Sequence, residues 1–266
     1  MNLQLFYPSL KLQSYIKCYY LSESDYTDYV KDVFYADGCV EVVFHIGLDF
    51  YRDEEKECWA KVIGQITQPL TMKAKGRGRS FGIWFWPHTF SLFSDFSVNV
   101  LNDKAIALDN VFNQTFIDFV RNSMHENDIE SLVRETNSCL LKKLKIPVNP
   151  LKERIAAHAV QYIVNEKANS NLDKLVSECN ISNRYLQKMF LERIGFSPKF
   201  FIRITRFQRA LHYVVNCQTD SLTNLAHQAG YYDQAHFIRE FKEFTGISPS
   251  QFRLTGHPIN QYFLSL

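Results

Sequence analysis

The 266 residues, 46% of them hydrophobic, suffice for one large or two ordinary domains, each with its own core. A formal net charge of +2 marks the chain as a whole neither for nucleic acid nor for an acidic partner, so such a role has to come from how the charge is distributed. Cys18, Cys39, Cys58, Cys139, Cys179 and Cys217 stand far apart without a CxxC pair, and the sequence contains neither a leader pattern nor an eighteen-residue apolar run; the expectation is a cytoplasmic chain without metal, cofactor or membrane span.

Up to about Phe96 short β-branched and aromatic runs, such as 39–46 and 81–86, alternate with Gly, Pro and Asp, which predicts strands. Both alternating faces of Phe81-Gly82-Ile83-Trp84-Phe85-Trp86 are apolar, so this strand is expected to be buried on both sides within a barrel or sandwich. The stretch 73–79, KAKGRGR, reads as a basic glycine-rich turn between two strands. Cys39, Glu41 and His45 share one strand face, and a thiol near an imidazole is a candidate nucleophile. Their separations of about 7 to 20 Å along a strand argue against direct contact. A metal site from Glu41, His45 and His88 is the other rival, and a catalytic or ligand-sensing front half fused to a binding module remains the alternative reading.

From Gln114 to Leu144 the spacing turns helical, with Phe116, Phe119 and Val120 in one segment and Ile129, Leu132, Val133, Leu140, Leu141 and Leu144 in a second. These helices either pack on their own sheet or leave an apolar stripe for a second subunit. Pro147-Val148-Asn149-Pro150 interrupts them, so the expected division is a regulatory, effector or dimerisation domain over 1–146, a helical domain over 150–254 and a tail over 255–266. The fold class is α+β: a β-rich barrel or sandwich-like domain with trailing helices, then an all-α domain.

Two parts of that helical half repeat one another, sharing Phe190/Phe241, Gly195/Gly246, Ser197-Pro198/Ser248-Pro249 and Phe201/Phe252. Between 182 and 210, seven basic residues face the single acid Glu192, which leaves the remainder of the chain net acidic. The pattern predicts two helix-turn-helix units joined by a helix. In the first, 172–178 is a support helix, 179–181 the turn, Ser182 an N-cap and 183–194 the recognition helix. Leu186, Met189, Phe190 and Ile194 recur at core spacing, which leaves Arg184, Gln187 and Lys188 outside, with side chains suited to base edges in a major groove. In the second, 222–229 supports and 234–245 reads. Phe237, Phe241 and Phe244 turn inward, Gln234, Ala235, Arg239 and Lys242 outward, with His236 near the leading end. The joining helix, opened by Ser197 and Pro198 and running to about Val215, spans about 27 Å. Its Arg203, Arg206 and Arg209, with Lys242, are expected to meet phosphates.

Together these residues resemble the AraC/XylS family of bacterial transcription regulators, through S-x-R-x-L-Q-x-x-F at 182–190, the G-x-S-P steps and L-A-x-x-A-G-Y at 225–231. Asn180 stands where the family more often has Gly, and Asn tolerates the positive φ that the turn needs. The resemblance implies base contacts at Arg184, Gln187, Lys188, Gln234, His236 and Arg239. It implies double-stranded DNA as partner, RNA polymerase as the target of activation, and a front domain that takes a small effector or forms a homodimer. That front half is similar to the uncharacterised N-terminal domain of a subgroup of these regulators, through YPSLKLQSYIKCYY at 7–20, ADGCVEVVFHIG at 36–47 and IGQITQP at 63–69. A protein that keeps this helical fold purely for protein contacts is the remaining rival, against which stand the outward Arg184, Gln187, Lys188 and Arg239.

Overall fold

The computed structural model describes residues 2–147, 149–166, 171–217 and 221–255. Two compact units make up the chain: one of 1–32, 39–65 and 71–148, the other of 33–38, 66–70 and 149–266. Of the expected tail 255–266, Thr255 ends the last described helix and 256–266 lie outside the described residues, as does Val148 of the Pro-Val-Asn-Pro break.

The first unit is built on a sheet whose described strands are β1 (Asn2–Phe6), β2 (Ile16–Phe34), β3 (Glu41–Arg52), β4 (Glu55–Lys56), β5 (Ala60–Ile63), β6 (Leu70–Phe85) and β7 (Ala105–Ala107). Their order is β1-β2-β6-β3-β5-β7, with β4 beside β3. Opposite β3, Val42 pairs with Ile83 of β6 and Phe44 with Phe81, antiparallel. Period-two alternation puts these four side chains on one face, where they join Tyr19, Leu21 and Phe85 in a core. The other face carries Glu41, His45, Ser80 and Trp84, and from Phe81 to Phe85 every residue is buried, as the doubly apolar run predicts.

The KAKGRGR stretch is not the expected turn. It lies inside β6, opposite β3, where the register shifts between Ile46 and Leu48. A Cβ on Gly47 would stand 2.4 Å from the Arg77 carbonyl oxygen, and one on Gly78 only 1.8 Å from that of Ile46. The glycines therefore mark two backbones brought together at a bulge rather than a reversal of the chain.

Helix α1 (Gln114–Glu126) is capped by Asn113, whose side chain accepts from the Phe116 amide at 3.0 Å, and it ends on Asn127 in the left-handed region, φ 60°. Helix α2 (Ile129–Lys143) starts on Asp128, which accepts from the Ser131 amide, and hydrogen bonding from the Ser131 hydroxyl, then from that amide, holds the Asp128 carboxyl below its ordinary range. Phe116, Ile117, Val120 and Met124 of α1 and Leu132 and Leu140 of α2 enter the core of the sheet. Of the two arrangements open to these helices, packing on their own sheet is the one found. Phe116 meets Phe44 edge-on with ring centres 6.2 Å apart.

The second unit consists of α3 (Pro150–Asn165), α4 (Leu172–Glu178), α5 (Asn183–Arg193), α6 (Pro198–Asn216), α7 (Leu222–Ala229), α8 (Gln234–Thr245) and α9 (Pro249–Thr255), with Tyr35 and Ala36 of the 33–38 stretch in its core. Helix α6 is its axis. Phe201, Ile204, Phe207, Leu211 and Val214 recur at helical spacing and are buried, whereas Val215 is only half-buried. Phe201 meets Phe190 of α5, and Phe207 stacks on Phe244 of α8 with centres 4.7 Å apart.

Candidate nucleic-acid interface

Helix-turn-helix geometry depends on a tight turn followed by a firmly started second helix, and the chain supplies both ingredients twice. In the first copy Asn171 caps α4 by accepting from the amides of Asp173 and Lys174. The turn passes through Asn180 at φ 51°, the positive value its residue type tolerates. Ser182 then caps α5, its hydroxyl oxygen accepting from the Tyr185 amide at 3.1 Å. In the second copy Ser221 caps α7 in the same way, Gly230 takes the left-handed turn at φ 90°, and Asp233 caps α8 by accepting from the His236 amide at 2.7 Å. The repeated residues are equivalent in conformation as well as in sequence: Phe190 and Phe241 are buried, and Gly195 and Gly246 stand at φ 84° and 80°.

On α5, Leu186, Met189 and Phe190 are buried, which turns Arg184 and Lys188 into solvent and leaves Gln187 half-buried between them. Lys188 is 3.8 Å from Glu192, one turn on, a solvated pair that leaves its ammonium on the surface. On α8, Phe237, Phe241 and Phe244 are buried, and Gln234, Ala235, Arg239 and Lys242 are exposed. The Gln234 carbonyl oxygen accepts from the Thr223 hydroxyl of α7 at 2.7 Å. Tyr232, 88% exposed, stands two residues before α8 and adds an aromatic ring at its leading end that the spacing argument did not single out.

His236 is placed differently from its neighbours. It is half-buried, edge-on to the Tyr231 ring and 3.8 Å from Glu240, so its ring lies toward the inner side of the leading turn.

The largest departure from the sequence reading concerns the arginines of α6, which are not a free row awaiting phosphates. Glu240 of α8 is 5% exposed, and its carboxylate receives Arg203 at 2.9 Å and Arg206 at 2.8 Å on each oxygen. Arg203 also reaches Glu243 at 2.6 Å. Arg209 donates to the carbonyls of Val164 at 2.6 Å and Ile163 at 3.3 Å, oxygens near the C-terminus of α3 that have no donor further along that helix. The cause is legible in hindsight. Glu240 falls at i+3 from Phe237 and i+4 from His236, on the buried stripe of α8, and a carboxylate there requires a cation. Of the four residues expected at phosphates, Lys242 is exposed, whereas Arg203, Arg206 and Arg209 hold helices together.

In the first unit, the Nδ1 of His45 lies 2.7 Å from the Ser80 hydroxyl, and the imidazole stacks against Phe50 at 4.0 Å. Burial, and secondarily the charge of Lys61, push its pKa down to about 3. At Nδ1 the imidazole thus meets a hydroxyl rather than a thiol. Among the described residues, no three His, Cys, Asp or Glu side chains are grouped so as to hold a metal ion, and no helix is long and apolar enough to cross a membrane.

Residues 175–255 match the family model described as a helix-turn-helix domain, and residues 4–107 match a domain of unknown function, DUF6597. Among characterised proteins, the chain is 27% identical over 106 residues to the HTH-type transcriptional regulator MtrA of Neisseria gonorrhoeae, a match covering 40% of this chain and 35% of that protein. It is 32% identical over 106 residues to the F1 operon positive regulatory protein of Yersinia pestis, covering 39% and 35% respectively. The chain thus spans about a third of the length of these relatives. The solved C-terminal domain of the response regulator AraT from Geobacillus stearothermophilus aligns over 41% of this chain and 88% of its own, at 26% identity and a TM-score of 0.36.

Proposed function

We propose that the chain is a helix-turn-helix regulator of the AraC/XylS kind, a sequence-specific transcription regulator whose helices α5 and α8 read two neighbouring major-groove segments of double-stranded DNA. One observation carries the reading: the same construction occurs twice, a capped helix with its aliphatic and aromatic stripe buried and Arg with Gln or Lys outside. Arg184 and Arg239 suit the O6 and N7 acceptors of guanine, and Gln187 suits adenine. Lys188, beside Gln187, suits the same guanine acceptors, and Lys242 suits phosphates, which fix register without reading sequence. His236 takes a peripheral part, given its inward ring.

Activation is the sign of regulation we adopt, following the Yersinia pestis relative, with RNA polymerase as the partner it recruits. The 4–107 region is where a small effector or a second copy of the chain would act on that output.

The test is selection of bound sequences from fragmented genomic DNA by the full-length protein, repeated with Arg184→Ala and Arg239→Ala. Support would be a motif of two blocks about ten base pairs apart, each blurred by one substitution. Binding without an enriched sequence, indifferent to both changes, would defeat the proposal.

A further inference from the structure

The two recognition helices do not offer glutamine to DNA in the same state. A glutamine reads adenine by a bidentate pair, its carbonyl oxygen accepting from N6 while its amide donates to N7. Gln234, the first residue of α8, has that oxygen turned to α7, where it accepts the Thr223 hydroxyl at 2.7 Å. The Nε2 donor pair takes no part in that bond. Both residues are exposed, and Thr223 sits in the first turn of the support helix, started by the Ser221 cap, so the hydroxyl is delivered from a fixed backbone.

Building on the DNA-reading role proposed above, we infer that Thr223 is a positioning residue that sets the specificity of α8: by engaging one lone pair of the Gln234 oxygen and holding that oxygen toward α7, it leaves Gln234 to meet a base through its Nε2 donors. A donor alone finds acceptors on guanine (O6, N7), thymine (O4) and adenine (N7), and finds none on cytosine, which presents only its N4 donor in this groove. The base facing Gln234 is therefore selected against cytosine and not for adenine. Gln187 of α5 lies on the opposite recognition helix and is not governed by Thr223.

The experiment is selection from a randomised duplex library with the full-length protein, its Thr223→Val and Thr223→Ser variants, and Gln234→Ala to locate the base position concerned. Thr223→Val keeps the shape and removes the hydroxyl, and an unchanged α5 block reports that the helical unit is still folded. The expected result is a wild-type position depleted in cytosine and tolerant of the other three bases. In Thr223→Val the same position should become adenine-selective by about fivefold or more, the lower end of what a bidentate pair contributes. Thr223→Ser should restore the wild-type pattern. A two-block motif in which Thr223→Val leaves that position as in wild type, or a wild-type position already selective for adenine, overturns the role of Thr223 while leaving the DNA-reading proposal intact. Absence of any enriched motif with the wild-type protein overturns both.

Discussion

The guanidinium of Arg206 lies within 2.8 Å of both carboxylate oxygens of Glu240, a fork on a fork between the joining helix α6 and the recognition helix α8. Arg206 is 17% exposed at the side chain and Glu240 is 5% exposed, so neither charge can fall back on water if the other is removed. Glu240→Ala is expected to lower stability by about 3 to 5 kcal/mol, read as the shift of a urea unfolding curve, because it strands Arg206 in a largely buried site and leaves Arg203 with Glu243 alone. A loss of a few tenths would mean that the pair is solvated and does not orient α8.

The same pair separates structural from DNA-facing cations. Lys242→Ala should reduce the slope of log K against log salt by roughly one counterion, whatever the sequence bound. Arg206→Ala should destabilise the protein and leave the slope unchanged. A drop in slope with Arg206→Ala would return that arginine to the phosphates.

Base reading is expected to be local. Arg184→Ala and Arg239→Ala should each cost about 1 to 3 kcal/mol of affinity for the preferred duplex, measured by titration, and each should relax preference in one block only. Equal losses on preferred and scrambled duplexes would assign both arginines to the backbone.

Acid should loosen the first unit through His45. Its folded pKa, about 3, lies below the ordinary 6.5, so between these values the unfolded chain binds a proton that the folded chain does not. Stability is full above about pH 6.5 and falls as pH drops toward 3, by up to roughly 1.4 kcal/mol per pH unit. Urea unfolding of wild type and His45→Gln across pH 4 to 7, followed by tryptophan emission, should show a shallower pH slope in the variant. Parallel slopes would place the acid sensitivity elsewhere.

The bulge between β3 and β6 gives a fifth expectation, for which side-chain chemistry is irrelevant. Gly78→Ala puts a methyl group where the Ile46 carbonyl stands, so it should lower the thermal midpoint markedly, while Arg77→Ala, whose side chain is exposed, should leave it within a degree or two. Equal midpoints for both would mean that the strands can part at this point without cost.

The helical half was legible because its determinants are local. Capping residues, the φ tolerance of Asn180 and Gly230, and the 3.6-residue spacing of Phe237, Phe241 and Phe244 act within one or two turns, and each is visible in a short window of sequence. What stayed hidden depends on pairs distant in the chain. The spacing of Arg203, Arg206 and Arg209 shows that they lie on one side of a helix and not that Glu240, thirty-four residues after Arg206, comes to meet them. The misreading of 73–79 has the same origin. Four basic residues and two glycines suit a hairpin, and only the strand alongside, with Gly47 at its own irregularity, reveals that the glycines make room for a neighbour. That His236 lies half-buried could not be read from spacing, because helical phase is a coarse guide at the first turn, where the Tyr231 ring offers a place for an imidazole.

On α8 the residues that anchor the helix, Phe237, Glu240, Phe241 and Phe244, and those that face outward, Gln234, Ala235, Arg239 and Lys242, share no member. The outer set can therefore drift under mutation with little effect on whether the protein folds. A lineage carrying this chain could acquire new target genes by gradual change at four surface positions, each intermediate remaining a folded protein, with no need for compensating changes in the interior.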